Sequence, residues 1–122
     1  MMENKTILII EDSYTSYLLL AETLKFEGYE TLFAEDVKKA LSLIVEKTPD
    51  LIILDLNMPE ITGYDFLKMR GQLGIENVPI IVISALDSTE SINKVKSLGA
   101  SDFVPKPVKL SLVVEKVKSL IA

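Results

Sequence analysis

Five polar residues of this chain stand at the ends of short aliphatic runs. Glu11-Asp12 follow Ile7-Leu8-Ile9-Ile10, Asp55 follows Leu51-Ile52-Ile53-Leu54, Ser84 ends the run from Pro79, and Lys106 comes just after Phe103-Val104. They supply three carboxylates, a hydroxyl and an amine. Carboxylates gathered in one place repel each other and titrate upward unless a cation sits among them. Hard oxygen ligands suit Mg²⁺, which needs few protein ligands and keeps several waters. A metal, an ammonium and a hydroxyl around one carboxylate make a site for a phosphoryl group. That carboxylate can itself be the nucleophile and become an acyl phosphate. Singly, each residue has a plainer use. Asp55 would cap a strand-to-helix loop and Glu11-Asp12 the start of a helix, where acids are favoured. Ser84 would be a solvated hydroxyl, and Lys106 a surface lysine. Their shared position at strand ends unites them.

The elements that position them alternate along the chain. Ile7–Ile10 reads as a buried strand, followed by a helix from about Tyr14 to Glu27 that Gly28 ends. Thr31–Ala34 is a less apolar strand, suited to a sheet edge. Asp36 caps a helix running to about Lys47. Leu51–Asp55 is the third strand. A helix from about Tyr64 to Leu73 follows, frayed by Gly71 and Gly74. Pro79–Ser84 is the fourth strand, and Ser88 or Thr89 caps a helix that stops before Gly99. Phe103-Val104 is a short fifth strand, and the last helix runs from Val108 or Lys109 to Ala122. Five strand–helix units imply a parallel sheet covered on both faces. Right-handed crossovers make it an open, doubly wound sheet. Ligands in such sheets bind at the carboxyl ends of the strands, where the five polar residues fall.

Composition narrows the function. With 122 residues the chain fits one domain, and a formal charge of -5 is the wrong sign for direct nucleic-acid binding. There is no cysteine and no histidine. That excludes disulfides, thiolate or imidazole metal sites, cysteine nucleophiles, His-based triads and a phosphohistidine carried by this chain. No apolar run is long enough for membrane insertion, and the expected location is cytoplasmic.

Glu11-Asp12, Asp55 with Met58, Pro59 and Gly63, Ser84-Ala85, Gly99-Ala100, Asp102-Phe103 and Lys106-Pro107 together resemble the receiver domains of two-component response regulators. They keep that family's order and spacing, and the resemblance extends over residues 1–122 as one domain. It implies a flavodoxin-like α/β fold: a five-stranded parallel sheet in the order 2-1-3-4-5, with five helices. By the same resemblance Asp55 accepts a phosphoryl group from a phosphohistidine on a sensor histidine kinase or histidine phosphotransfer protein. Asp12 binds Mg²⁺ directly and Glu11 through a metal-bound water; Asp55 and the backbone carbonyl of Asn57 complete the set. Lys106 pairs with the phosphoryl oxygens, Ser84 hydrogen-bonds one of them, and the Lys106–Pro107 bond is cis. Phe103 is the switch aromatic that fills the space Ser84 leaves. The face formed by the fourth helix, fifth strand and fifth helix then changes for a downstream protein target. Glu11, Ser84 and Phe103 stand where many members carry Asp, Thr and Tyr. Leu86, apolar and two residues beyond Ser84, is placed to limit water's access to the phosphoryl group.

Such a domain catalyses its own phosphorylation and slow dephosphorylation without being a turnover enzyme. A phosphohydrolase with an aspartate nucleophile is the main competitor. It wants a second acid two residues on, where this chain has Asn57, and a cap domain for which there is no room. A nucleotide-binding domain lacks its motif, since neither G-x-G-x-x-G nor a P-loop occurs. A docking-only pseudo-receiver does not need the intact acid, hydroxyl and lysine positions.

Overall fold

The runs Thr6–Ile10 (β1), Leu51–Asp55 (β3) and Ile80–Ser84 (β4) are buried along their whole length. Branched aliphatic side chains on both faces suit strands covered on both sides. In the computed structural model, which describes residues 4–56, 63–85 and 89–121, these three form the centre of a parallel sheet ordered β2-β1-β3-β4-β5. Glu30–Ala34 (β2) and Asp102–Pro105 (β5) are its edges. The less apolar β2 is at an edge, as its composition predicts. The topology is the flavodoxin-like one that the resemblance implies.

Alternation along the strands divides the core in two. Ile7, Ile9, Leu51, Ile53, Ile81, Ile83 and Val104 pack with α1 (Tyr14–Phe26) and α5 (Leu110–Ile121). Leu8, Ile10, Ile52, Leu54, Ile80, Val82 and Phe103 pack with α2 (Val37–Glu46), α3 (Gly63–Met69) and α4 (Thr89–Ser97). Each such side chain contributes about 1.5–3 kcal/mol by leaving water. Every strand therefore ends in a rigid setting, and the first polar residue beyond it is held in place.

Helix ends follow local chemistry. Ser13 caps α1, its hydroxyl accepting from the Ser16 N–H at 3.3 Å. Asp36 caps α2 through the Lys39 N–H at 2.7 Å. Gly28, at φ +97°, lets the chain leave α1 in the left-handed region, with the Gly28 N–H on the Lys25 carbonyl. The helix boundaries of α3 and α5 differ from expectation, and that of α4 agrees. α3 stops at Met69, not Leu73, because residues 70–74 form turns ending in Gly74 at φ +71°. α4 begins at Thr89; the alternative cap Ser88 lies outside the described residues. α5 begins at Leu110, and the Lys109 carbonyl accepts from the Leu112 and Val113 N–H groups. Lys109 is thus the residue preceding the first turn, and its side chain contributes no cap.

Candidate functional site

Glu11, Asp12, Asp55, Ser84 and Lys106 reach the carboxyl edge of the sheet, while Phe103 sits inside β5 opposite Val82. β1 ends at Ile10, and the Glu11 N–H is tied to the Ala34 carbonyl of β2 at 2.9 Å. Asp55 is the last residue of β3 and Ser84 the last of β4. The Lys106 N–H donates to the Ser84 carbonyl at 2.9 Å, so the segment after β5 is fastened to the end of β4. The Lys106–Pro107 peptide is cis. Asn57, Met58, Pro59 and Leu86 lie outside the described residues.

The acids come together. Carboxylate oxygens of Glu11, Asp12 and Asp55 lie within 4.8 Å of one another. Asp55 is 3% exposed and Glu11 8%, while Asp12 is exposed. Lys106 is half-exposed and reaches in, its Nζ 3.2 Å from both Oδ1 and Oδ2 of Asp55. Ser84 is completely buried at the end of the neighbouring strand. Phe103 is buried in the same core cluster as Val82 and Val95.

The electrostatics show what the fold leaves uncompensated. Burial pushes the Glu11 carboxyl up to about 8, and its hydrogen bond to Asp55 and the Asp55 charge act in the same direction. Lys106 and the Ser13 N–H pull it down, without prevailing. Among the described residues one ammonium thus faces two buried carboxyls and an exposed third. A divalent cation would supply the missing charge. Oxygen ligands from three closely spaced acids fit Mg²⁺, which accepts few protein ligands and completes its shell with water.

Sequence reasoning missed two features. The first is Ser13: it, and not Glu11-Asp12, caps α1, leaving both acids for the site. The Ser13-x-x-Ser16 spacing ahead of an apolar stretch is the signal that points to it. The second is a cavity of about 370 Å³ beside the acids, walled by Glu11 and Lys106 and by Leu19, Pro107, Val108 and Leu110. Leu19 is 56% exposed there. An apolar residue on the outer face of α1 was visible in the chain, but its nearness to Pro107 depends on the tertiary fold.

The comparisons with known proteins agree with this geometry. The family model described as the response regulator receiver domain matches residues 7–118. The chain belongs to that family. Sporulation initiation phosphotransferase F of Bacillus subtilis is 34% identical over 117 residues, which is 96% of this chain and 94% of that protein. The phosphate regulon transcriptional regulatory protein PhoB of Pseudomonas aeruginosa is 35% identical over 124 residues, but this receiver spans only 53% of it. Among solved structures, the receiver domain of the Francisella response regulator 1452 superposes with a TM-score of 0.90 at 32% identity, covering 96% of each chain. The Vibrio cholerae chemotaxis protein CheY4 gives 0.90 at 28% identity, covering 98% of this chain and all of its own. The general role of the family is to accept phosphoryl groups in two-component signalling. Its members typically bind Mg²⁺ at an acidic cluster and interact with histidine kinases or phosphotransfer proteins. Among the described residues no helix is long and apolar enough to cross a membrane.

Proposed function

We propose that residues 1–122 form one receiver domain in which Asp55 accepts a phosphoryl group from a phosphohistidine on a sensor histidine kinase or histidine phosphotransfer protein. The observation that carries this reading is Lys106 Nζ at 3.2 Å from both Asp55 oxygens, inside a cluster of three acids. An Asp55 oxygen attacks phosphorus, the O–P bond forms, and the P–N bond breaks with its electron pair left on the imidazole. Glu11, Asp12, Asp55 and the backbone carbonyl of Asn57 would hold Mg²⁺, Glu11 through a bound water. That ion supplies positive charge against which the phosphoryl oxygens bind. Lys106 then leaves the carboxylate for a phosphoryl oxygen, and Ser84 donates its hydroxyl to another. Charge-assisted contacts of this kind contribute about 1.5–3 kcal/mol each.

The cavity beside the acids receives the donor's side chains. Phe103 moves toward the space behind Ser84, and the face of α4, β5 and α5 is altered for a protein target. The domain catalyses its own loading and slow unloading and is not a turnover enzyme. Its place is the cytoplasm, where ATP-charged kinases present phosphohistidine.

Mass spectrometry after incubation with acetyl phosphate and Mg²⁺ tests the acceptor. The wild-type chain gains one phosphoryl group and Asp55→Asn gains none. Labelling of both at equal rates would remove Asp55 from the role. Two-dimensional NMR with a phosphoryl mimic tests the output face. Changes confined to the loops around Asp55 would count against a role for α4, β5 and α5.

A further inference from the structure

The two edge strands of the sheet are not protected alike. β5 has four residues, ends in Pro105 and carries Asp102, which Lys116 holds at 2.8 Å. Short length, proline and charge are the usual means of blunting an edge. β2 has five residues, Glu30-Thr31-Leu32-Phe33-Ala34, with no proline and a single charge at its first position. Its Glu30 N–H donates to the Lys5 carbonyl, and its Ala34 carbonyl accepts from the Glu11 N–H, both at 2.9 Å. Backbone groups alternate in direction along a strand, so Glu30, Leu32 and Ala34 turn theirs toward β1. Thr31 and Phe33 turn theirs away from the sheet, where no strand among the described residues pairs with them.

The side chains around that edge are largely apolar and only partly covered. Thr31, Leu32 and Phe33 are half-buried. Tyr14 meets Phe33 edge to face, ring centroids 5.5 Å apart, and is still 58% exposed. Leu18, one turn further along α1, is exposed as well. Charge is divided along the strand. Lys25 and Lys47 flank its amino end, where they outnumber Glu30. Glu35 and Asp36 follow its carboxyl end, both exposed, and Asp36 also caps α2. A strand with opposite charges at its two ends complements itself when a copy runs antiparallel, whereas a parallel copy sets like charges together. We infer that β2 is the pairing edge for a second copy of this chain, antiparallel about a two-fold axis perpendicular to the sheet. With Leu32 at the axis, Thr31 of one copy and Phe33 of the second copy exchange both of their outward hydrogen bonds. Glu35 then falls opposite Tyr29 of the second copy, beside that copy's Lys25 and Lys47. The two α1 helices come side by side and cover Tyr14 and Leu18. The inference does not depend on phosphotransfer at Asp55.

Sedimentation equilibrium and amide hydrogen exchange on the whole chain test this pairing. As concentration rises from about 10 μM to about 1 mM, the mass is expected to climb toward that of two chains. The Thr31 and Phe33 amides, open in the single copy, are expected to exchange about tenfold or more slowly over the same range. Thr31→Pro removes an outward N–H and none that faces β1, a change that an edge strand admits, and it should leave a folded single copy. Lys25→Glu and Glu35→Lys should each weaken association by about fivefold or more, and the two together should restore it, because each charge pair is then reversed. A chain that stays single at its highest soluble concentration overturns the second copy as the occupant of this edge. Association that protects other amides and not these two, that persists undiminished in Thr31→Pro, or that the double charge reversal fails to restore overturns the assigned pairing.

Discussion

The two ends of the same five strands treat polar groups in opposite ways. At the amino edge, Asp50 accepts the Thr6 N–H and the Ser101 hydroxyl accepts the Ile80 N–H at 3.2 Å. Polar side chains there finish strands by satisfying backbone donors, and the Thr6 hydroxyl, buried with no hydrogen-bond partner among the described residues, is the exception. At the carboxyl edge, Glu11 and Asp55 are buried and turned on each other, with Lys106 as the only cation in contact with Asp55 among the described residues. The fold completes one edge by itself and leaves the other short of positive charge. That contrast separates residues that hold the sheet together from residues proposed to bind a ligand. Variants at the carboxyl edge are expected to change chemistry more than stability, and those at the amino edge the reverse.

The largest effect is expected from Lys106→Ala. It removes the only described cation at Asp55, and labelling by acetyl phosphate should slow by about 10- to 100-fold. A loss of stability with unchanged labelling would break the contrast. Next comes a pH dependence. The Glu11 carboxyl titrates at about 8 in the folded chain, against 4.5 ordinarily. The folded state therefore holds a proton that the unfolded state has lost across that interval. Stability without divalent cations is highest at acid pH and declines as pH rises toward 8. The slope is at most about 1.4 kcal/mol per pH unit. Urea melts in chelator at about pH 5.5, 7 and 8.5 measure it. Glu11→Gln should flatten the curve, and saturating Mg²⁺ should flatten it in the unmutated chain.

Much of this was legible in the chain because strand ends are marked by an abrupt change from aliphatic to polar. Ile10 to Glu11 and Leu54 to Asp55 are such changes, and both boundaries hold. The lower apolar content of Thr31–Ala34 marked β2 as an edge strand. Helix ends were harder. Residues 70–74 continue the composition of α3, but two glycines in five residues favour turns over a further helical turn. The Glu11–Asp55 hydrogen bond, the Leu19–Pro107 cavity and the unpaired Thr6 hydroxyl were out of reach. Each depends on residues far apart in the chain meeting through strand register and helix packing, which local spacing does not encode.

The amino edge gives the next effect. Asp50→Ala leaves the buried Thr6 N–H without its acceptor and should cost about 1–2 kcal/mol, read as a lower urea midpoint. Labelling of Asp55 should be unchanged. Slower labelling at equal stability would mean that the two edges are coupled along β1.

The smallest effect belongs to a pair near β5, which tests whether ionic contact alone sets the edges apart. Lys116 Nζ lies 2.8 Å from Asp102 Oδ1, with both side chains partly exposed. Burial works to raise the Asp102 carboxyl, but the hydrogen bonds from Lys116 and from the Phe103 N–H outweigh it and hold it below its ordinary 3.8. A lowered carboxylate stabilises the fold above its unfolded-state value and loses that contribution as pH falls through the folded one. Lys116→Ala should therefore cost less than about 1 kcal/mol at neutral pH, and less still in acid, where Asp102 is protonated in both states. At Asp55 a comparable lysine contact lies among closely spaced acids, two of them buried, where the proposed metal and phosphoryl group would bind. An ion pair of similar length thus has a large chemical effect at the one place and a small structural effect at the other. Equal losses of labelling in Lys116→Ala and Lys106→Ala would show that contact distance, not burial and crowding of like charge, decides the role.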